Sequence, residues 1–264
     1  MNKLVTSSFM GIVIALASNF AYSAISDQMR GLEISLEAKK RDTGWADNTA
    51  DMLMVLRNTQ GQESTREIKI RTLEQKSDGD KSLTVFNKPK DVKGTVFLSF
   101  PHPVGADDQW LYLPALKRVK RISSRNKSGP FMGSEFAFED LSSFEIEKYS
   151  YKYLGDETIN GEDNYKVEQY PLDPNSGYTR RIVWLDKKEY RVQKIDFFDR
   201  KDEPLKTLSY LGYQEYLHEY WRANSMTMQN HQNGKSTELQ WSNYRFKTGL
   251  NDRDFNKNAI KRIR

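Results

Sequence analysis

The sequence contains no cysteine. That removes thiol nucleophiles, disulfide staples and thiolate-bound zinc from consideration, and it leaves no Cys to carry an N-terminal lipid. Histidine is scarce: the chain has three, His102, His218 and His231, and none stands at HExxH or HxH spacing. A GxSxG elbow, a P-loop and a Gly-rich dinucleotide turn are also missing. A Ser-His-Asp set needs no adjacency in sequence, but nothing points to a nucleophile beside a base. Each histidine reads as a surface or turn residue, and the chain as a non-enzyme without cofactor or metal. Asp107-Asp108 and Asp78-Gly79-Asp80 lack the ligand series of a calcium loop and read as turns.

Long apolar runs are absent after the first residues. At the start, Lys3 precedes an apolar stretch over residues 4–17, and Ala21-Tyr22-Ser23 offers a small-x-small cleavage site. This is the pattern of a secretory signal peptide over residues 1–23. The stretch is shorter than the roughly 18–20 residues a spanning helix needs, so export to the periplasm without a retained anchor is expected. No linker, repeat or low-complexity tract divides the remainder, and residues 24–264 read as a single domain. The net charge of +5, one less without Lys3, is too small and dispersed to suggest nucleic acid.

What is present begins with a helix. Ile25, Met29, Leu32 and Leu36 recur at spacings of four, three and four, with Asp27, Arg30, Glu33 and Lys40 elsewhere on the wheel. This predicts an amphipathic helix of about four turns, ending near Thr43-Gly44. Met29, Leu32 and Leu36 are the expected contact stripe of a lid. From there the period changes to two. Met52, Met54 and Leu56, then Ile68 and Ile70, then Leu83 and Val85, then Val96, Leu98 and Phe100 recur at every second position between turns. The second half repeats the habit, with Asn160-Gly161 and Asn233-Gly234 as hairpin signals. About eleven strands are expected, forming an antiparallel meander that curls into an unclosed β-barrel with the helix across its mouth.

The stretch from Trp110 to Leu141 is the most distinctive. Along the strand QWLYL, Trp110 and Tyr112 face one way and Leu111 and Leu113 the other. Such a strand is either simply a core strand or a wall strand with one side packed and the other lining a cavity, and in the second case Trp110 and Tyr112 are the candidate lining. Lys117, Arg118, Lys120 and Arg121 follow. They read either as a solvated edge that discourages strand aggregation or as a contact for anionic head groups, a membrane surface or an acidic partner. Phe131 and Met132 are held in a loop between Gly129 and Gly133, where they either tuck into the barrel mouth or await a ligand. Phe136 and Phe138 complete the candidate cavity set.

WLYLPALKRVKRI and FMGSEFAFEDL, together with the earlier MLMVLRNTQGQESTREIKIRTL and the hairpin VWLDKKEYRVQKIDFFD, resemble the periplasmic outer membrane lipoprotein-sorting proteins of LolA-like fold. The similarity is to the branch associated with RND- and MMPL-type transporters. It implies an unclosed antiparallel barrel whose apolar inner face, covered by helices, accommodates acyl chains. The arginine that latches the lid of the best-studied carriers has no match at any position here. The expected role is a periplasmic carrier or chaperone for acyl chains of a lipoprotein or lipid, in transient contact with membranes and with such a transporter. An adaptor that docks on a transporter is the alternative, followed by a lipid-acting hydrolase.

Overall fold

The computed structural model describes residues 26–263, so the expected signal peptide and Ile25 lie outside the described residues. A helix, α1, covers residues 26–41. Thirteen strands follow: β1 (Asp47–Arg57), β2 (Glu63–Leu73), β3 (Lys81–Lys88), β4 (Val96–Phe100), β5 (Asp108–Leu113), β6 (Arg118–Ile122), β7 (Tyr149–Ile159), β8 (Glu162–Pro171), β9 (Arg180–Asp186), β10 (Val192–Phe198), β11 (Pro204–Tyr216), β12 (Tyr220–Asn230) and β13 (Ser236–Phe246). They form one sheet in the order β6-β5-β4-β3-β2-β1-β13-β12-β11-β10-β9-β8-β7. Two antiparallel meanders are thus joined by one long-range pairing, β1 with β13, in which Met52 lies opposite Trp241 and Met54 opposite Leu239.

The sheet ends at β6 and β7, which do not pair with each other, so the barrel stays open. The expected count of about eleven was short. The basic segment is itself a strand, β6, whose sequence RVKRI carries too few apolar residues to show the alternation. At the β7–β8 turn, Asn160 and Gly161 both have positive φ, 52° and 83°, the backbone that a two-residue hairpin turn requires.

The inner face gathers Met52, Met54, Ile68, Phe86, Phe97 and Leu111 from the first half with Val167, Val183, Leu185, Ile195, Phe197 and Leu208 from the second. A smaller cluster lies on the outer face of β3 and β4, where Leu83, Val85, Val96 and Leu98 are covered by Phe255 and Ile260 of the C-terminal segment. Sheet covered on both faces explains why β4, VFLSF, is nearly continuous in apolar residues rather than alternating. Full burial of side chains such as Phe86 and Phe97 stabilises by about 1.5–3 kcal/mol each.

Helix α1 packs on a different face from the one its apolar spacing predicted. Gly31, Ile34 and Ser35 are buried, whereas Met29 is 58% and Leu36 48% exposed and Leu32 is exposed as well. Closeness of approach decides this. A Cβ on Gly31 would lie 2.9 Å from the Tyr153 backbone nitrogen, so β7 and the helix touch backbone to backbone. The Ser35 hydroxyl donates back to the Gly31 carbonyl at 2.9 Å, leaving no polar group stranded in that contact. Near the helix end, Lys39 donates to the Phe144 carbonyl at 3.0 Å and Arg41 to the Lys188 carbonyl at 3.0 Å.

Candidate functional site

The segment joining the two sheet edges, residues 123–148, turns into the barrel and fills one half of it. Phe131 donates its backbone N–H to the Phe136 carbonyl at 2.7 Å, closing a small loop in which Met132 and Gly133 have positive φ of 51° and 76°. The Phe131 ring is fully buried, 5.2 Å from Phe97, 5.5 Å from Phe138 and 5.9 Å from Phe86. Phe136 and Phe138 are buried beside it. These side chains are therefore filling rather than walls of a space, and half-buried Met132 is fastened by Arg66, which donates to its carbonyl.

The strand β5 is oriented oppositely to expectation. Leu111 and Leu113 join the interior cluster, while Trp110 and Tyr112 pack on the outer cluster, Trp110 lying edge-on to Phe100 at 5.3 Å. When both faces of a strand are apolar, composition does not say which turns inward. The neighbouring polar residue settles it: Gln109, buried on the Leu111 side, donates to the Phe138 carbonyl at 3.2 Å and to the Ser142 hydroxyl at 3.0 Å. Lys117, Arg118, Lys120 and Arg121 are exposed along the edge strand and its approach, with Arg121 paired to Asp108.

The other half of the interior is open. A cavity of about 590 Å³ lies between Ser35 and Ala38 of α1, the 123–148 segment, and the inner faces of β8 to β11. Val183, Leu185, Val192, Ile195, Phe197, Leu208 and Tyr210 form an apolar floor. Burial pushes the Tyr210 phenol up to about 12, so it stays a neutral hydroxyl at neutral pH. Phe144 and Tyr149, with ring centroids 5.6 Å apart, form an aromatic wall.

The mouth is polar. Lys127 bonds Asp173 at 2.7 Å, and Lys148 bonds Asp107. Glu139 accepts from the Gly177 N–H at 2.8 Å and the Ser176 hydroxyl at 2.9 Å, and burial raises its pKa from the usual carboxylate range. Arg181 reaches in from β9, donating through Nε to Gln169 at 2.6 Å. An apolar floor under a charged mouth suits an amphiphile.

None of the residues expected to line a cavity or meet a head group lines this one. On β9, Ile182 and Trp184 face away from the cavity, and the side chains that line it are Arg181, Val183 and Leu185. The alternation RRIVWLD and VQKIDFF was the available signal, but it does not announce which phase faces in.

The histidines lie away from the cavity lining. His102 Nδ1 is 2.9 Å from Asp78 and its Nε2 is 3.6 Å from Asp108, while His231 meets the Thr207 hydroxyl at 2.8 Å. Among the described residues no cluster of three or more His, Asp or Glu is placed to hold a metal ion. No helix among them is long and apolar enough to cross a membrane.

A family model described as an uncharacterized protein matches residues 78–262. A crystal structure named for an outer membrane lipoprotein-sorting protein domain, from Vibrio parahaemolyticus, is 61% identical, with a TM-score of 0.87, over 89% of this chain and 99% of that one. The chain belongs to the outer membrane lipoprotein-sorting family. A DUF1329 family protein from Desulfovibrio piger is similar at 29% identity and a TM-score of 0.84, again over 89% and 99% of the two chains. A LolA superfamily protein from Nitrosomonas europaea shares the fold at 20% identity and a TM-score of 0.69, over 86% of this chain and 97% of that one. No curated protein matches the sequence. The unclosed thirteen-stranded sheet with its helix is thus the LolA-like fold, and the lipoprotein-sorting relatives support a carrier role in general terms.

Proposed function

We propose that this protein is a periplasmic carrier that shelters acyl chains of a lipid or lipoprotein in the cavity between α1 and β8 to β11. The observation that carries the reading is the open, apolar-floored half of the barrel beside a half that is already packed solid. Transfer of acyl chains onto such a floor is favourable by about 0.8 kcal/mol per CH₂ and needs no catalytic group. The exposed basic edge strand β6 is the contact to anionic head groups at a membrane, each Lys or Arg contributing about 1 kcal/mol and screened by salt. An RND- or MMPL-type transporter is the proposed donor or acceptor.

Native mass spectrometry of the protein purified from the periplasm tests the carrier reading. Co-purifying lipid, displaced by a fluorescent fatty acyl probe, supports it. A protein that is lipid-free and binds no acyl probe refutes it. A transporter-docking adaptor is the second reading, favoured by the same exposed β6 edge. Lys117→Glu with Lys120→Glu separates the two. A carrier with that change loses transfer to anionic vesicles at low salt but keeps its lipid, whereas an adaptor holds no lipid in either form.

A further inference from the structure

The cavity lining contains three cationic side chains, Lys127, Lys148 and Arg181. Two are already matched: Lys127 to Asp173 at 2.7 Å, and Lys148 to Asp107. Arg181 forms no ion pair among the described residues. Its one side-chain hydrogen bond there uses Nε, to the amide oxygen of Gln169 at 2.6 Å. The guanidinium stacks over the Tyr149 ring at 4.1 Å and stands 5.2 Å from the Phe144 ring. Stacking and the Nε bond together fix the plane of the group, which leaves the two Nη atoms as a pre-set fork.

Nearby carboxylates do not fill that role. Asp140 is taken by Lys206 at 2.6 Å, and Glu139 by Ser176, Gly177 and, at 3.9 Å, Lys127, while Glu147, also in the lining, is exposed and makes no ion pair with Arg181. An unmatched cation in a half-buried, aromatic-walled pocket favours a ligand that brings its own negative charge. From Arg181 the lining continues along the same strand to Val183 and Leu185, then to Ile195 and Leu208. A head held at Arg181 therefore places its tail on the apolar floor.

We infer that the cavity selects an amphiphile with a single anionic head, a carboxylate or a phosphate monoester, and that Arg181 binds that head bidentately. The inference rests on the carrier reading and narrows it. The acyl chains of a lipoprotein are attached through neutral ester and amide links, which offer the fork no charge. The preferred cargo is a lipid with an acidic head.

The test uses the mature protein and three probes of equal chain length, namely palmitate, hexadecyl phosphate and methyl palmitate, with Arg181→Gln and Arg181→Lys as variants. The parent should bind at least one acidic probe roughly tenfold or more tighter than the neutral ester, as a charge-assisted bidentate contact implies. Whichever acid binds more tightly identifies the head group. Arg181→Gln should bind all three probes alike, at the parent's affinity for the ester, and Arg181→Lys should keep part of the preference. Equal binding of acid and ester by the parent overturns the inference while leaving the carrier reading intact, and that comparison needs no variant to fold. An unchanged acid preference in Arg181→Gln also overturns it. Failure of all three probes to bind the parent refutes the carrier reading itself.

Discussion

The Lys206 ammonium lies 2.6 Å from the Asp140 carboxylate, and each side chain is only 4% exposed. This pair bolts the segment that fills the barrel to strand β11. Lys206 also donates to the Glu135 carbonyl at 2.9 Å, and Asp140 accepts from the Ala137 N–H and the Tyr178 hydroxyl, each at 2.7 Å. Buried charges are tolerated when their remaining hydrogen-bonding capacity is met, as it is here.

Removing one partner should therefore be far worse than neutralising both. Lys206→Met leaves the Asp140 carboxylate buried without a counter-charge and should cost about 3–5 kcal/mol. Lys206→Met combined with Asp140→Asn should recover most of the loss, since the amide is neutral, its oxygen still accepts from the Ala137 N–H, and its NH₂ can donate to the Tyr178 hydroxyl. Urea unfolding of the parent, the single variant and the double variant measures both quantities. A single variant as stable as the parent would show that the pair does not hold the segment.

The helix contact gives a second expectation. Any side chain at residue 31 meets the β7 backbone at about the 2.9 Å found for a bare Cβ, and backbone cannot swing aside. Gly31→Val should lift α1 and lower the melting temperature. Leu32→Asp should change stability by no more than about 0.5 kcal/mol, because Leu32 is exposed and loses no partner. Thermal melts of the two variants check the assignment of faces, and a reversed ranking would restore the apolar stripe as the contact face.

Asp80 carries a pH signature. Burial pushes its carboxyl up to about 6, against an ordinary value near 3.8. The folded state therefore holds this proton over a range where the unfolded chain has released it. Its contribution to stability is complete below pH 3.8 and is lost as pH rises toward 6. Asp80→Asn removes the titration, so the stability of the variant relative to the parent should grow between pH 4 and pH 6 and then level off. Denaturant melts at half-unit pH steps read the difference, and a flat difference across that window contradicts the assignment.

The meander was readable because each strand packs one face on a common interior, which imposes period two on its sequence. Strand β6 escaped because its charges fall on both faces, Arg118 and Lys120 opposite the inward Leu113 and Leu111 and Arg121 opposite the outward Trp110, so no apolar period shows. The helix was readable as a helix but not in its orientation. Gly31 and Ser35 make the contact, and a count of apolar positions passes over both. The loop FMGSEFAF was conspicuous for holding large apolar groups between glycines, yet their destination depends on Phe86 and Phe97, far away in sequence. The cavity was the least legible feature. Its floor collects ordinary-looking strand residues from β9 to β11, and only the register between strands places Val183 beside Ile195.

The two halves of the interior should respond oppositely to changes in side-chain volume. Ala38 lies over the cavity, on the helix turn that follows the buried Ser35. Ala38→Trp sends an indole into about 590 Å³ of open space, so the fold should survive while the amount of bound acyl probe falls. Phe131→Ala does the reverse. It empties a fully buried site among Phe86, Phe97 and Phe138 and should cost about 3–5 kcal/mol. Because that site belongs to the packed half, the variant should still bind acyl probe at temperatures where it stays folded. Probe titrations paired with melting curves give both readouts for each variant. If Ala38→Trp binds probe as the parent does while Phe131→Ala at low temperature does not, the acyl chains run through the phenylalanine half, and the open half is not their seat.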